Sequence, residues 1–278
     1  MPNNILIKKK LKPFIKKIFV TSDKSLSIRC VLLASVAIGV SKIENLLESE
    51  DVKDALKAIK KLGIKYERKK KYYFIYGSGL NGLATNSSLV LNAGNSGTLA
   101  RLILGLLAKT KNVIKIIGDK SLSKRDFSRV VNPLKNFGIN IRSNNGFLPV
   151  KIYGGEFLRP IYYEENIGSA QCKSAVLLAA LNTPGITKIK AKKSRNHTEL
   201  LMKSLKIPIQ IKSKKKFDLI ELKGLNEFKG FNYKIPGDIS SSAFFIVLTL
   251  IANNSRITIK DVNINESRTG IIKILNMM

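Results

Sequence analysis

Lys24 and Arg29 stand five residues apart in Asp23-Lys24-Ser25-Leu26-Ser27-Ile28-Arg29, at the start of a stretch that otherwise turns apolar. Lysine offers a point charge or a proton, and arginine a planar fork that grips phosphate or carboxylate through paired N–H bonds. Comparable cations follow other small polar loops: Arg101 and Arg125, Lys173, Arg195 and Arg268. Each loop runs into residues of helical character, and a helix start, with its unpaired N–H groups and positive dipole end, is a ready anion site. Several such starts facing one centre would hold a polyanion, although any one of these cations by itself reads as a solvated surface charge. Gly97, in Asn95-Ser96-Gly97-Thr98, is either part of a capping turn or a point of close backbone approach to a ligand. His197, the single histidine, can form neither a metal cluster nor a catalytic triad alone and reads as structural. Cys30 and Cys172 lie among Val, Leu and Ala, which suits packed, reduced thiols in helix interiors rather than nucleophiles. No Walker loop, dinucleotide fingerprint or Cys-x-x-Cys is present.

What must position these loops is a repeat. A Ser/Gly-rich loop, an apolar helix, a break and a β-branched strand recur four times. The first copy is Ser22 to Ser27, with a helix to Ile38 and a strand around Lys42 to Asn45. The second is Gly94 to Thr98, a helix to Lys109 and a strand from Val113 to Ile117. The third is Gly168 to Gln171, a helix to Leu181 and a strand from Thr187 to Lys190. The fourth is Pro236 to Ser240, a helix to Ala252 and a strand from Arg256 to Ile259. With Ser25, Ser96, Ser169 and Ser240 as markers the intervals are 71, 73 and 71. Each copy continues into an amphipathic helix and two strand-like runs: Asp51 to Gly63, then Ile64 to Tyr66 and Tyr72 to Tyr76; Arg125 to Gly138, then Ile139 to Ile141 and Pro149 to Tyr153; Asn196 to Lys206, then Ile207 to Ile211 and Leu219 to Leu222. The unit is β-α-β-α-β-β. In the fourth copy the second helix begins at Glu266-Ser267-Arg268-Thr269-Gly270 and runs through Ile271, Ile272, Ile274 and Leu275, and its two strands do not follow, which predicts a repeat cut short. The strands expected within Ile5 to Val20 (Ile5 to Ile7 and Ile18 to Val20) look like closing strands of a further repeat.

A chain of 278 residues, 44% apolar and 24% charged, can bury one large core or two ordinary ones, which excludes disordered and collagen-like classes. Its apolar runs are too short to cross a bilayer, and its two packed cysteines predict a cytoplasmic setting. A formal charge of +30 raises the question of nucleic acid. The basic runs are scattered, however, and the aromatics are Phe and Tyr of cores and strands, so a general welcome for small anions is the better reading.

Seven collinear segments resemble the 5-enolpyruvylshikimate-3-phosphate synthase family. They are Asp23 to Arg29; Gly94 to Thr98 with Arg101; Gly118-Asp119-Lys120-Ser121-Leu122-Ser123-Lys124-Arg125; Ser169-Ala170-Gln171-Cys172-Lys173-Ser174; Ser194-Arg195-Asn196-His197-Thr198-Glu199; Pro236-Gly237-Asp238-Ile239-Ser240-Ser241; and Asn265 to Gly270. Asn182-Thr183-Pro184-Gly185-Ile186-Thr187 looks like the bacterial class II branch. The resemblance implies an α/β fold of two inside-out barrels, each of three β-α-β-α-β-β units. Residues 21–233 would form one complete domain, and 1–20 with 234–278 part of the second.

It also implies a monomeric carboxyvinyl transferase acting on shikimate 3-phosphate and phosphoenolpyruvate, with no metal or organic cofactor and no membrane or specific nucleic-acid partner. By position, Lys24 would be catalytic and touch both substrates. Ser25, Arg29, Ser169, Ala170, Gln171 and Arg195 would hold shikimate 3-phosphate. Gly97, Arg125 and Gln171 would hold phosphoenolpyruvate. Thr21-Ser22 replaces the family's Pro-Gly, Ile28 a usual His, and Asp126 a usual Pro, from where its charge would weaken an arginine's grip on an anion. The family's acid/base carboxylates come from further along the second domain, so weak binding of shikimate 3-phosphate without turnover is expected. The related transferase acting on UDP-N-acetylglucosamine would show Lys-Asn rather than Lys24-Ser25. A non-catalytic remnant binding anionic ligands or nucleic acid is the alternative from another class.

Overall fold

A computed structural model describes residues 11–83 and 87–278. The expected strand at Ile5 to Ile7 lies outside them. In chain order the elements are β1 (Ile15–Phe19), α1 (Lys24–Ser35), β2 (Ile38–Glu44), α2 (Glu50–Lys61), β3 (Tyr66–Lys69) and β4 (Tyr72–Ser78). The second copy holds β5 (Leu89–Asn92), α3 (Gly97–Leu106), β6 (Ile114–Ile117), the single turn α4 (Lys120–Ser123), α5 (Ser128–Asn136), β7 (Ile141–Asn144) and β8 (Phe147–Ile152). The third holds β9 (Tyr162–Glu165), α6 (Ala170–Leu181), β10 (Ile186–Lys192), α7 (His197–Ser204), β11 (Ile209–Ser213) and β12 (Phe217–Lys223). Then come β13 (Asn232–Lys234), α8 (Ile239–Leu250), β14 (Arg256–Lys260) and α9 (Gly270–Leu275).

The first helix ends at Ser35, three residues before the expected Ile38. The sheet claims Ile38 instead, pairing it with Ser78 and giving its N–H to Phe228 O at 2.8 Å. The helix expected from Arg125 starts only at Ser128, as α5, and a separate single turn, α4, precedes it, capped by Asp119, which accepts from Leu122 N at 2.7 Å. Gly63 and Gly138 follow α2 and α5 at φ 86° and 90°, the left-handed turn that favours glycine after a helix; in the third copy Lys206 takes that place at φ 58°.

The chain divides into two compact units, Lys24–Ile235 and the described residues on either side of it, up to Asp23 and from Pro236 onward. Lys24–Ile235 contains three four-stranded sheets, β13-β2-β4-β3, β5-β6-β8-β7 and β9-β10-β12-β11, all built alike. In each, one parallel pair (β13 with β2, β5 with β6, β9 with β10) is extended by two antiparallel strands. Strands such as β12 alternate buried and half-buried residues, so each sheet has one face toward the core. That core is made by helices: α1 is buried from Leu26 to Ser35, α6 from Cys172 to Leu181, and α3 at every residue except Thr98 and Arg101. Apolar all round, these helices need cover on every side. α3 packs on both α1 and α6, and a Cβ on Gly105 would lie 2.0 Å from Ala175 O, so only glycine allows the α3–α6 approach.

The other unit holds β1, α8, β14 and α9. β1 pairs in parallel with β14 over Ile15↔Arg256 to Phe19↔Lys260. The strand leading into α1 therefore sits outside α1's sheet, where β13 takes its place. The two chain crossings that this exchange requires run side by side: Asp23 N donates to Pro236 O and Asp238 N to Thr21 O, both at 2.8 Å. Among the described residues no helix is long and apolar enough to cross a membrane.

Candidate anion-binding site at the helix starts

The four marker serines occupy two kinds of position. Ser96 and Ser169 are true N-caps, their Oγ atoms accepting from Leu99 N and Cys172 N at 3.3 Å. Ser25 and Ser240 are second residues of α1 and α8, and Asp238 caps α8. Each Oγ accepts from its helix and keeps its O–H proton, which half-buried Ser169 can still donate to a ligand, whereas Ser96 is buried.

Gly97 opens α3 beneath two guanidinium groups: a Cβ there would lie 2.9 Å from Arg101 Nη1 and 3.0 Å from Arg125 Nη1. Arg125 donates to Asn95 Oδ1 at 2.7 Å, and Asn95 in turn donates to Asp119 Oδ2 at 2.7 Å. Arg101 donates to Gln171 Oε1 at 2.8 Å and to Asp126 O at 3.0 Å, and lies over the Phe127 ring at 4.9 Å. Gln171 completes the chain by donating to Thr98 Oγ1 at 3.1 Å. Burial pushes the Arg101 guanidinium below its ordinary value, and the neighbouring Arg125 adds to that. An arginine so placed still carries its charge, and an anion between the two would relieve their repulsion. The Asp126 carboxylate accepts from Ser128 N at 2.8 Å and pairs with Arg129 Nε at 3.4 Å.

A second group joins α1, α6 and α7. Arg29, 4% exposed, donates to Thr198 Oγ1 at 2.7 Å, Ser174 Oγ at 3.2 Å and Ser25 O at 3.0 Å. Ser174 and Thr198 hydroxyls lie 2.6 Å apart. Lys24, half-exposed at the start of α1, pairs with Asp51 Oδ2 at 2.9 Å. Ala170 is the first residue of α6, and Arg195 is exposed just before α7. Gly97, Arg125 and Gln171 therefore belong to one linked group, and Ser25 and Arg29 to another. Lys24, Ser169 and Ala170 stand on the starts of the same helices, while Arg195 bonds to neither group.

Two cations singled out by the sequence are unavailable to a ligand. Lys173 is fully buried against Glu199, and Arg268, outside Lys24–Ile235, is held by Asp23, Asp238 and Ser240. Cys172 lies in the first turn of α6, not in the helix interior, and burial pushes its thiol up, against a nucleophilic role. Neither cysteine is in a disulfide. Sequence reasoning passed over Asn95, Thr98, Ser174 and Thr198. Thr98 and Arg101 are three apart on α3, one face, which was the available signal; the others meet only through the tertiary fold.

The family model described as EPSP synthase (3-phosphoshikimate 1-carboxyvinyltransferase) matches residues 8–278. The chain belongs to the EPSP synthase family. It is 46% identical over 260 residues to the 3-phosphoshikimate 1-carboxyvinyltransferase of Vesicomyosocius okutanii, covering 93% of this chain and 59% of that protein. Against the enzyme of the same name from Streptococcus pyogenes it is 41% identical over 262 residues, covering 93% and 60%. Among solved structures, EPSP synthase from Acinetobacter baumannii superposes with a TM-score of 0.86 at 36% identity, over 96% of this chain and 60% of that one. The α/β architecture is thus that of EPSP synthases. The chain spans about three fifths of the length of the curated relatives it matches.

Proposed function

We propose that Lys24–Ile235 binds shikimate 3-phosphate at the starts of α1, α6 and α7 and receives phosphoenolpyruvate between Arg125 and Lys24 above Gly97. The chain then takes part in enolpyruvyl transfer in the shikimate pathway. The carrying observation is the linked group around Gly97, in which two guanidiniums close over a residue without a side chain and reach Gln171 through Arg101. Two phosphates and a carboxylate need several fixed cations of this kind, and charge developing during reaction needs donors already in place. In the reaction, the 5-hydroxyl of shikimate 3-phosphate gives up its proton as its oxygen bonds to C2 of phosphoenolpyruvate and C3 takes a proton. The C2–O bond to phosphate then breaks and C3 returns a proton, giving the enol ether and inorganic phosphate. Lys24 is the proposed proton donor, and a bound phosphate competes with Asp51 for its ammonium.

On this reading residues 21–233 are the three-repeat domain and 1–20 with 234–278 belong to a second. The protein works in the cytoplasm as a monomer without metal or organic cofactor. Ser25, Arg29, Ser169, Ala170, Gln171 and Arg195 hold shikimate 3-phosphate, the last from an exposed position just before α7. Titration calorimetry tests this: shikimate 3-phosphate should give a saturable heat that shikimate does not, weakened about tenfold or more in Arg195→Ala, the loss of one charge-assisted contact. No phosphate should be released by the 278 residues given both substrates. A heat matched by random DNA at physiological salt, or no saturable heat, would contradict the reading.

A further inference from the structure

Next to these residues lies a buried ion pair. Lys173 Nζ stands 2.6 Å from Glu199 Oε1, with the side chains 0% and 1% exposed. Neither charge is placed for its own comfort. Lys173 N donates to Ser169 O, so the ammonium belongs to the first turn of α6, whose dipole end is positive. Glu199 Oε2 has no hydrogen-bond partner among the described residues. Burying two charges costs desolvation that an ion pair rarely recovers in full, and apolar residues of equal volume are often as stable or more so. Stability thus gives no sufficient account of the pair.

Its location gives a better one. Gln171 lies two residues before Lys173, and Arg195 four before Glu199. The adjacent residue on each helix, Ser174 after Lys173 and Thr198 before Glu199, carries a hydroxyl that holds Arg29. One contact between α6 and α7 therefore fixes the spacing of three segments bearing candidate ligand contacts. Resting on the function proposed above, we propose that Lys173 and Glu199 are positioning residues for shikimate 3-phosphate. They lock the first turn of α7, and with it Arg195, against the start of α6 before the ligand arrives. Order established in the unbound protein is order that binding need not supply.

The test compares the 278-residue chain with Lys173→Met, Glu199→Gln, Glu199→Asp and the apolar double variant Lys173→Met/Glu199→Leu. Melting temperature, shikimate 3-phosphate affinity and amide exchange at Leu200 to Met202, where Leu200 N donates to Asn196 O, are read for each. Both neutralising single variants should melt lower, since each leaves a partner buried and unpaired. The double variant should regain the melting temperature yet bind about tenfold more weakly and exchange those amides about tenfold faster, the signature of lost preorganisation. Should the double variant fail to fold, Glu199→Asp keeps the charge and shortens its reach, and its affinity should fall at least threefold. A folded double variant, or Glu199→Asp, with wild-type affinity and exchange overturns the proposal. If the wild-type chain does not bind shikimate 3-phosphate, the functional reading falls separately. Amide exchange alone then decides whether the pair orders α7.

Discussion

Helices α6 and α8 occupy the same place in their repeats, have twelve residues each and are apolar all round, yet they meet opposite surroundings. α6 is buried from Cys172 to Leu181, packed on α3, α5, α7, β10 and β12. α8 packs mainly on β14 and buries only Ile239 and Ser242, leaving Phe244 79% and Leu250 61% exposed. A helix's sequence thus declares what burial it needs, while its neighbours decide what burial it receives. The same contrast holds for the cations. In Lys24–Ile235, Arg101 and Arg125 border a glycine, whereas Arg268 beside α8 is already neutralised by Asp23 and Asp238.

The comparison can be broken most sharply by truncating one leucine on each side of it. Leu102→Ala, fully buried on α3 in the core it shares with α6, should cost about 2–5 kcal/mol in denaturant unfolding, through lost transfer energy and the cavity left behind. A smaller effect comes from the left-handed turn after α7. Lys206→Gly should stabilise by about 1 kcal/mol, because it removes the Cβ strain that Gly63 and Gly138 avoid in the sister repeats. Alkaline pH adds a third, smaller effect. Burial raises the Cys172 thiol, so the folded chain keeps a proton that the unfolded chain loses above about pH 8.5. That contribution is complete below this pH and fades as pH rises through the raised folded value. Cys172→Ala should therefore lose less melting temperature than wild type between pH 7 and pH 9.5. Smallest of all, Leu250→Ala on exposed α8 should change stability by no more than about 0.5 kcal/mol. Equal costs at Leu102 and Leu250 would end the contrast.

The repeats were legible because each joins a polar loop to an apolar helix and a β-branched strand, all local signals. Helix starts were legible for the same reason: Ser96 and Ser169 announce themselves as caps. What the sequence hid is non-local. Ile38 reads as helix by composition, and only Ser78 and Phe228, distant in sequence, draw it into the sheet. The exchange of β1 and β13 between sheets depends on pairings 190 or more residues apart, Ile15 with Arg256 and Asn232 with Lys42. Lys173 looked like a ligand-binding cation because its loop matches the others; its burial is decided by Glu199 on another helix. Gly97, Arg125 and Gln171 were named individually, but their union through Arg101 and Asn95 appears only in three dimensions.

The half-site proposed for shikimate 3-phosphate within Lys24–Ile235 is a specific one, unlike a diffuse positive surface. Backbone amide chemical shifts followed during titration with shikimate 3-phosphate test it most directly. Saturable shifts confined to Ser25, Ser169 to Gln171 and Arg195, with α8 and α9 unmoved, are the expected result. Shifts spread over the lysine runs at 68–71 and 212–216, or none at the helix starts, would contradict it.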